Sequence, residues 1–193
     1  MHVGVAGLGR MGAAMAARLA EVGHQVSGWN RSAEKAQALA AAGVTIVPTP
    51  AALAAGAETI VSSLTDAAAI DAVYGGPDGL LSGPVDGRLF IEMSTVAPAT
   101  EIALAATVRA KGAAFVECPV GGTVGPARTG KLIGLMGADA PDAARARPLL
   151  EQLCRRLEHV GPVGAGAVMK LDQHAADDLL AGAGRNAGAV SRR

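Results

Sequence analysis

The chain has 193 residues, enough for one full domain and part of another; half are hydrophobic and only 2% aromatic, so its core must come from Ala, Val, Leu and Ile. Seventeen basic and 17 acidic side chains cancel to a formal charge of zero, which argues against a nucleic-acid partner. Cys118 and Cys154 match no metal spacing, no segment reaches the roughly 18 apolar residues of a membrane span, and the start Met-His-Val-Gly-Val-Ala-Gly has no basic leader. A soluble cytoplasmic protein with two reduced thiols and no membrane partner is expected.

Strand and helix signals alternate from the first residues. His2 to Ala6 reads as a buried strand, Met11 to Val22 as a helix, Gln25 to Trp29 as a second strand and Ala33 to Ala42 as a second helix. Strand patterns follow at Val44 to Val47, Thr59 to Ser62, Arg88 to Glu92 and Ala114 to Cys118, with alanine-rich helices between them, notably Asp66 to Tyr74 and Pro98 to Lys111. Leu132 to Met136 and a strand near Leu157 to Val160 extend the pattern around a helix from Pro141 to Arg155. Glycine or proline is expected to punctuate every junction. The alternation predicts an α/β fold, a doubly wound, mostly parallel sheet with helices on both faces.

Gly7-Leu8-Gly9-Arg10-Met11-Gly12 lies between the first strand and the first helix. Gly-x-Gly-x-x-Gly is a weak signal alone and a strong one in that setting. The first glycine permits the tight turn, the second lets a pyrophosphate approach the backbone, and the third lets helix and strand pack closely. The helix amides and dipole then hold the anion. At the end of the second strand, Asn30-Arg31-Ser32 follows Gly28-Trp29, where an acidic residue would bind a ribose diol. Arg31 can supply a charge-assisted fork to a 2′-phosphate, so NADP(H) rather than NAD(H) is the expected cofactor. Trp29 is a candidate for the adenine pocket or for the core. Asp66 and Asp71 are too poorly spaced on their helix for joint chemistry, and His24 and His159 read as surface or loop residues.

Four further motifs follow in order: Glu92-Met93-Ser94-Thr95-Val96-Ala97-Pro98; Glu117-Cys118-Pro119-Val120-Gly121-Gly122-Thr123; Gly130-Lys131-Leu132; and Gly164-Ala165-Gly166-Ala167-Val168-Met169-Lys170-Leu171. Behind the phosphate loop, they resemble the β-hydroxyacid dehydrogenases, relatives of 6-phosphogluconate dehydrogenase, over about residues 1 to 171. The resemblance implies a Rossmann-type NADP-binding domain over residues 1 to 161. It also implies hydride transfer between a small carboxylate-bearing β-hydroxy acid and its semialdehyde. Under it, Ser94 bonds substrate, Thr95 lies beside the nicotinamide, and Gly121, Gly122 and Thr123 grip the substrate carboxylate. Lys170 becomes the general acid and base. Ser63-Leu64-Thr65 borders the nicotinamide ribose, where the family often has Met-Leu-Pro. An ammonium suits that chemistry, because it stabilises a developing alkoxide and delivers its proton. Helix capping ahead of Pro98 is a second reading of Ser94 and Thr95.

The resemblance also implies a C-terminal all-helical domain that closes the cleft and builds a dimer, and residues 162 to 193 supply only the start of its linking helix. His174 stands where the family has asparagine. With a permitted choice of codons, a one-base shift at Asp172 turns the tail into Ile-Asn-Met-Pro-Leu-Met, which resembles the linking helix, so a frameshifted coding sequence is expected. An open cleft, a solvated Lys170, an exposed apolar docking face and impaired turnover would follow. Two alternatives remain: a non-catalytic NADP-binding fragment, and an imine reductase-like enzyme, against which the presence of Lys170 argues.

Overall fold

This computed structural model describes residues 1–172; the expectations for His174 and the altered tail lie outside the described residues. Six strands are parallel: β1 (His2–Ala6), β2 (Gln25–Trp29), β3 (Val44–Ile46), β4 (Thr59–Ser62), β5 (Leu89–Glu92) and β6 (Ala114–Glu117). Their spatial order is β3-β2-β1-β4-β5-β6, the arrangement of dinucleotide-binding sheets. Beyond β6 the sheet changes direction. The short β7 (Val120–Gly121) and β6 both pair antiparallel with β8 (Leu132–Gly137), and β9 (Cys154–Gly161) then adds parallel to β8.

The helices are α1 (Arg10–Glu21), α2 (Ala33–Gln37), α3 (Pro50–Gly56), α4 (Ala67–Gly75), α5 (Pro98–Ala110), α6 (Val124–Arg128) and α7 (Ala140–Leu153). Strand alternation sorts the core into two layers. Val3, Val5, Val61, Ile91 and Val116 face one side, where Met15 and Leu19 of α1, Ala127 of α6 and Leu149, Leu150 and Leu153 of α7 cover them. Ala6, Ile60, Phe90 and Phe115 face the other, under Leu53 of α3, Ile70, Val73 and Tyr74 of α4, and Leu104 and Val108 of α5. All four aromatic residues lie on this second side, with Tyr74 and Phe90 centroids 5.8 Å apart and Trp29 packed at its edge.

Some local expectations change. The helix expected over Ala33 to Ala42 is two pieces, α2 and a 3-10 turn at Ala40–Ala42. No glycine or proline separates α7 from β9: Leu153 ends the helix and Cys154 is already extended, at φ −120° and ψ 131°. Burial of Leu153 and Cys154 fixes that junction in place of a turn residue. Helix α3 has sequence signals that the strand-and-helix reading passed over: Thr49 accepts a 3.0 Å hydrogen bond from the Ala52 amide, and Pro50 follows in the first turn.

Because Phe90 is fully buried against Tyr74, Phe90→Ala is expected to cost about 3–5 kcal/mol, whereas Ile102→Ala on the exposed side of α5 should cost under about 0.5 kcal/mol. Urea midpoints of the two variants test the layer assignment; equal losses would contradict it.

Candidate functional site

The carboxyl ends of β1 and β4 lie side by side where successive connections leave the sheet in opposite directions, the usual place for a ligand crevice. The chain leaves β1 at Gly7, in a left-handed conformation at φ 89°, with its amide bonded to the Trp29 carbonyl at 2.9 Å. Gly9 is the N-cap of α1; among the described residues no side chain caps it, and the first turn carries no acidic group. A Cβ on Gly9 would meet nothing within 4 Å, while one on Gly12 would lie 1.9 Å from the Gly7 carbonyl oxygen. Gly9 therefore leaves open space over free helix amides, and Gly12 allows α1 to lie on the turn. That arrangement fits a dinucleotide pyrophosphate. Leu8 is buried in the core and contributes main chain only; Arg10 is exposed, and neither lines a cavity.

A cavity of ≈ 460 Å³ opens beside this turn. Gly7, Gly9, Trp29, Asn30, Arg31, Ser63, Leu64 and Thr65 form one side, and residues 76–79 after α4 form the far wall. That wall was missed in the sequence, although Gly75-Gly76-Pro77-Asp78-Gly79 is a dense turn signal. Arg31 is exposed at the rim, and Asn30 folds back to donate to the Ser32 carbonyl at 3.1 Å, so Ser32 stays outside the lining. Asp66 caps α4, and the Ala69 amide, the Thr65 hydroxyl and, more weakly, Arg31 hold its carboxyl below the usual range.

Ser63, Leu64 and Thr65 are shared with a second cavity of ≈ 330 Å³. Met11, Met93, Ser94, Thr95, Val120, Gly122 and Lys170 complete its lining. Ser94 is buried, and its Oγ accepts a 2.7 Å bond from the Leu64 amide while its own amide donates to Glu92 Oε1 at 2.7 Å. Ser94 does not cap the following helix, since the N-cap of α5 is Ala97, without a side-chain bond. Lys170, expected to be solvated, is only 8% exposed; its Nζ lies 4.0 Å from the position a Cβ on Gly121 would take. Thr123 is the exposed N-cap of α6 and does not line the cavity. Ile102, Val168, Met169 and Leu171 are exposed, and Ile102 Cδ1 lies 3.1 Å from the Cβ position of Gly164.

The NAD binding domain of 6-phosphogluconate dehydrogenase defines a family that matches residues 2–161. The chain belongs to that family. It is 38% identical over 165 residues to the 3-hydroxyisobutyrate dehydrogenase of Pseudomonas aeruginosa, a match covering 86% of this chain and 55% of that protein. Among solved structures, the 3-hydroxyisobutyrate dehydrogenase of Mycobacterium tuberculosis with L-serine superposes at a TM-score of 0.84 and 30% identity, over 89% of this chain and 58% of that one. An imine reductase from Pseudomonas sp. shares the fold, at a TM-score of 0.87 and 24% identity over 98% of this chain and 65% of its own. The chain thus spans about half the length of the curated relatives it matches. Among the described residues, no helix is long and apolar enough to cross a membrane.

Three glutamates of this NAD-binding domain, Glu92, Glu101 and Glu117, are buried, and the sequence motifs gave none of them a role. Glu92 and Glu117 end adjacent parallel strands as register partners, and both are fully buried. Their signal was a carboxylate closing two similar apolar runs, Leu-Phe-Ile-Glu and Ala-Phe-Val-Glu. Glu92 accepts from the Ser62 hydroxyl, from the Ser94 amide and, at 3.5 Å, from the Tyr74 hydroxyl. Burial raises its pKa, and these hydrogen bonds oppose the rise. Glu101 on α5 is 1% exposed, and neither of its oxygens has a partner among the described residues. Burial first, then the charges of Glu92 and Glu117, push it up to about 9.

A carboxyl whose folded pKa exceeds its ordinary value of 4.5 binds its proton more tightly in the native state, so its contribution is greatest below that value and is lost as pH rises toward 9. Stability should therefore fall between about pH 5 and about pH 9, and Glu101→Gln should flatten that slope. Urea midpoints across this range measure it; an unchanged slope in the variant would remove Glu101 as the cause.

Proposed function

We propose that the chain is the cofactor-binding part of an NADP(H)-dependent oxidoreductase that interconverts a small β-hydroxy acid and its semialdehyde, with residues 1–161 as the dinucleotide domain. The carrying observation is the shared wall: Ser63, Leu64 and Thr65 line both the cavity over the phosphate turn and the one containing Ser94, Thr95 and Lys170. A ligand lying in the first can thereby present its reactive end to the second. The two buried free thiols fit a cytoplasmic setting.

The nicotinamide, when bound, supplies or accepts the hydride. The protein's own part is positioning and proton transfer. Gly7, Gly9 and Gly12, with the intervening Leu8, Arg10 and Met11, hold the pyrophosphate on the α1 amides. Asn30 and Arg31 receive the ribose end, with Ser32 held behind Asn30, and Arg31 supplies the charge that favours a 2′-phosphate. Ser63, Leu64, Thr65 and Thr95 border the nicotinamide side. The Ser94 oxygen accepts from the Leu64 amide while its hydroxyl lies within reach of the Glu92 carboxyl, so the O–H donates to a substrate oxygen by turning from Glu92 toward the cavity. Gly121 and Gly122 offer main-chain amides to the substrate carboxylate; the Thr123 hydroxyl, outside the lining, would have to turn inward to join them. Lys170 protonates the alkoxide during reduction and takes the proton back during oxidation.

The position of Lys170 in that cavity favours the hydroxy-acid reading over an imine reductase-like one. A non-catalytic binding fragment differs from the enzyme in turnover, not in binding, so two measurements divide the readings. In a titration followed by nicotinamide fluorescence, NADPH should bind at least about tenfold more tightly than NADH, and Arg31→Ala should abolish the preference. Equal affinities in the native chain would overturn the NADP assignment. If the native chain oxidises a β-hydroxy acid, Lys170→Met should lower kcat by about 10²–10⁴ while changing NADPH affinity less than about twofold. Binding without turnover in the native chain would favour the fragment; native-like turnover in the variant would overturn the role of Lys170.

A further inference from the structure

Lys170 lies in a helical segment spanning 165–172, and the segment's start is held by one side chain from the sheet. Glu117 Oε1 accepts from the Gly164 amide at 2.7 Å and from the Gly166 amide at 2.7 Å. Both donors are main-chain N–H groups at the opening of a helix, where intrahelical acceptors are absent and the dipole favours an anion.

The surroundings are shaped to admit that carboxyl. A Cβ on Gly137 would lie 2.2 Å from Glu117 Oε1 and 2.8 Å from the Pro162 carbonyl oxygen. On Gly166 it would lie 2.3 Å from the Leu135 carbonyl oxygen and 3.1 Å from Oε1. Two glycines, one on β8 and one in the helix, thus leave room for the helix opening to rest against the sheet with the carboxyl between them. Gly166 and Lys170 are four residues apart and share a helix face. A side chain on that face leans toward the helix start. The Nζ–Gly121 approach therefore depends on where the first turn is anchored.

We propose that Glu117 is a positioning residue for Lys170, clamping the opening of the lysine's helix to the end of β6 and so setting where the ammonium enters the cavity shared with Ser94 and Thr95. The functional meaning rests on the reading of Lys170 as the proton-transfer group; the clamp itself does not. Burial raises the Glu117 pKa and the Gly166, Gly164 and Ala167 amides lower it, so the same amides that hold the helix opening also favour the charged form. Oε2 is buried without a partner among the described residues, so Oε1 alone carries the clamp.

The test compares the native chain with Glu117→Ala, Glu117→Asp and Glu117→Gln by amide hydrogen exchange and by acetylation of Lys170, using the exposed Lys111 and Lys131 as internal references. In Glu117→Ala, amides 164–170 should exchange about tenfold faster or more, and Lys170 should label faster relative to both references. Strands β1 and β4 should keep native protection, and NADPH affinity should change less than about twofold, since the larger cavity lies away from this helix. Glu117→Gln keeps an acceptor oxygen and should restore most of the protection. Native exchange and labelling in Glu117→Ala would overturn the clamp, as would loosening spread evenly over β1 to β6 or a Gln variant no better than Ala. If the Ala chain does not fold, Glu117→Asp decides, because its shorter side chain withdraws the oxygen: loosening confined to 164–170 supports the clamp and its absence overturns it. A Lys170→Met variant with full turnover would defeat the functional reading while leaving these exchange results interpretable.

Discussion

The distance between α1 and the turn after β1 governs the rest of the molecule. At Gly12 the helix comes so close to the Gly7 carbonyl that no side chain fits between them. That approach aims the uncapped amides at the mouth of the larger cavity and brings Met11 into the lining of the smaller one. It also seats Met15 and Leu19 on the sheet, where they meet α7 residues from the distal part of the chain. A single missing methyl group therefore links an anion-binding helix end, a core layer and the placement of both cavities.

A second level of organisation is polar and buried. The carboxyl ends of β5 and β6 carry Glu92 and Glu117 in matched positions, and each is tied to a different piece of the smaller cavity: Ser94 in one case, the start of the Lys170 segment in the other. Carboxyl groups in such surroundings are costly, and the cost is offset only where amides and hydroxyls reach them. Glu92 has three such donors and Glu117 two, whereas Glu101 has none among the described residues. The same region thus combines fixed geometry with a group that destabilises the fold as pH rises.

Much of the sheet was legible because parallel strands buried on both faces leave continuous apolar runs, and His2–Ala6, Gln25–Trp29 and Thr59–Ser62 have the expected bounds. The phosphate turn was legible for a different reason: glycine is demanded there by close approach, and that demand survives in the sequence. Thr123, Ser32 and Arg10 show the limit. Motif membership placed them in the site, but which side chains line a cavity depends on loop direction, which the spacing does not encode. Glu92 and Glu117 were overlooked because a lone carboxylate at a strand end reads as the start of a solvated loop. Packing turns them into buried anchors: Ser62, Tyr74 and Ser94 gather around Glu92, while Gly137 of β8 and the opening of the 165–172 helix enclose Glu117.

The uneven placement of the aromatic residues has a practical consequence. Trp29, Tyr74, Phe90 and Phe115 all belong to the layer under α3, α4 and α5, while the layer formed with α1, α6 and α7 is wholly aliphatic and sulfur-containing. Aromatic near-ultraviolet absorbance and intrinsic emission from this chain therefore originate in one half of the sandwich. The layer under α1, α6 and α7 has no aromatic reporter of its own; Trp29, whose carbonyl accepts from the Gly7 amide, adjoins the pyrophosphate turn, so a partial melting confined to α7 leaves those signals unchanged.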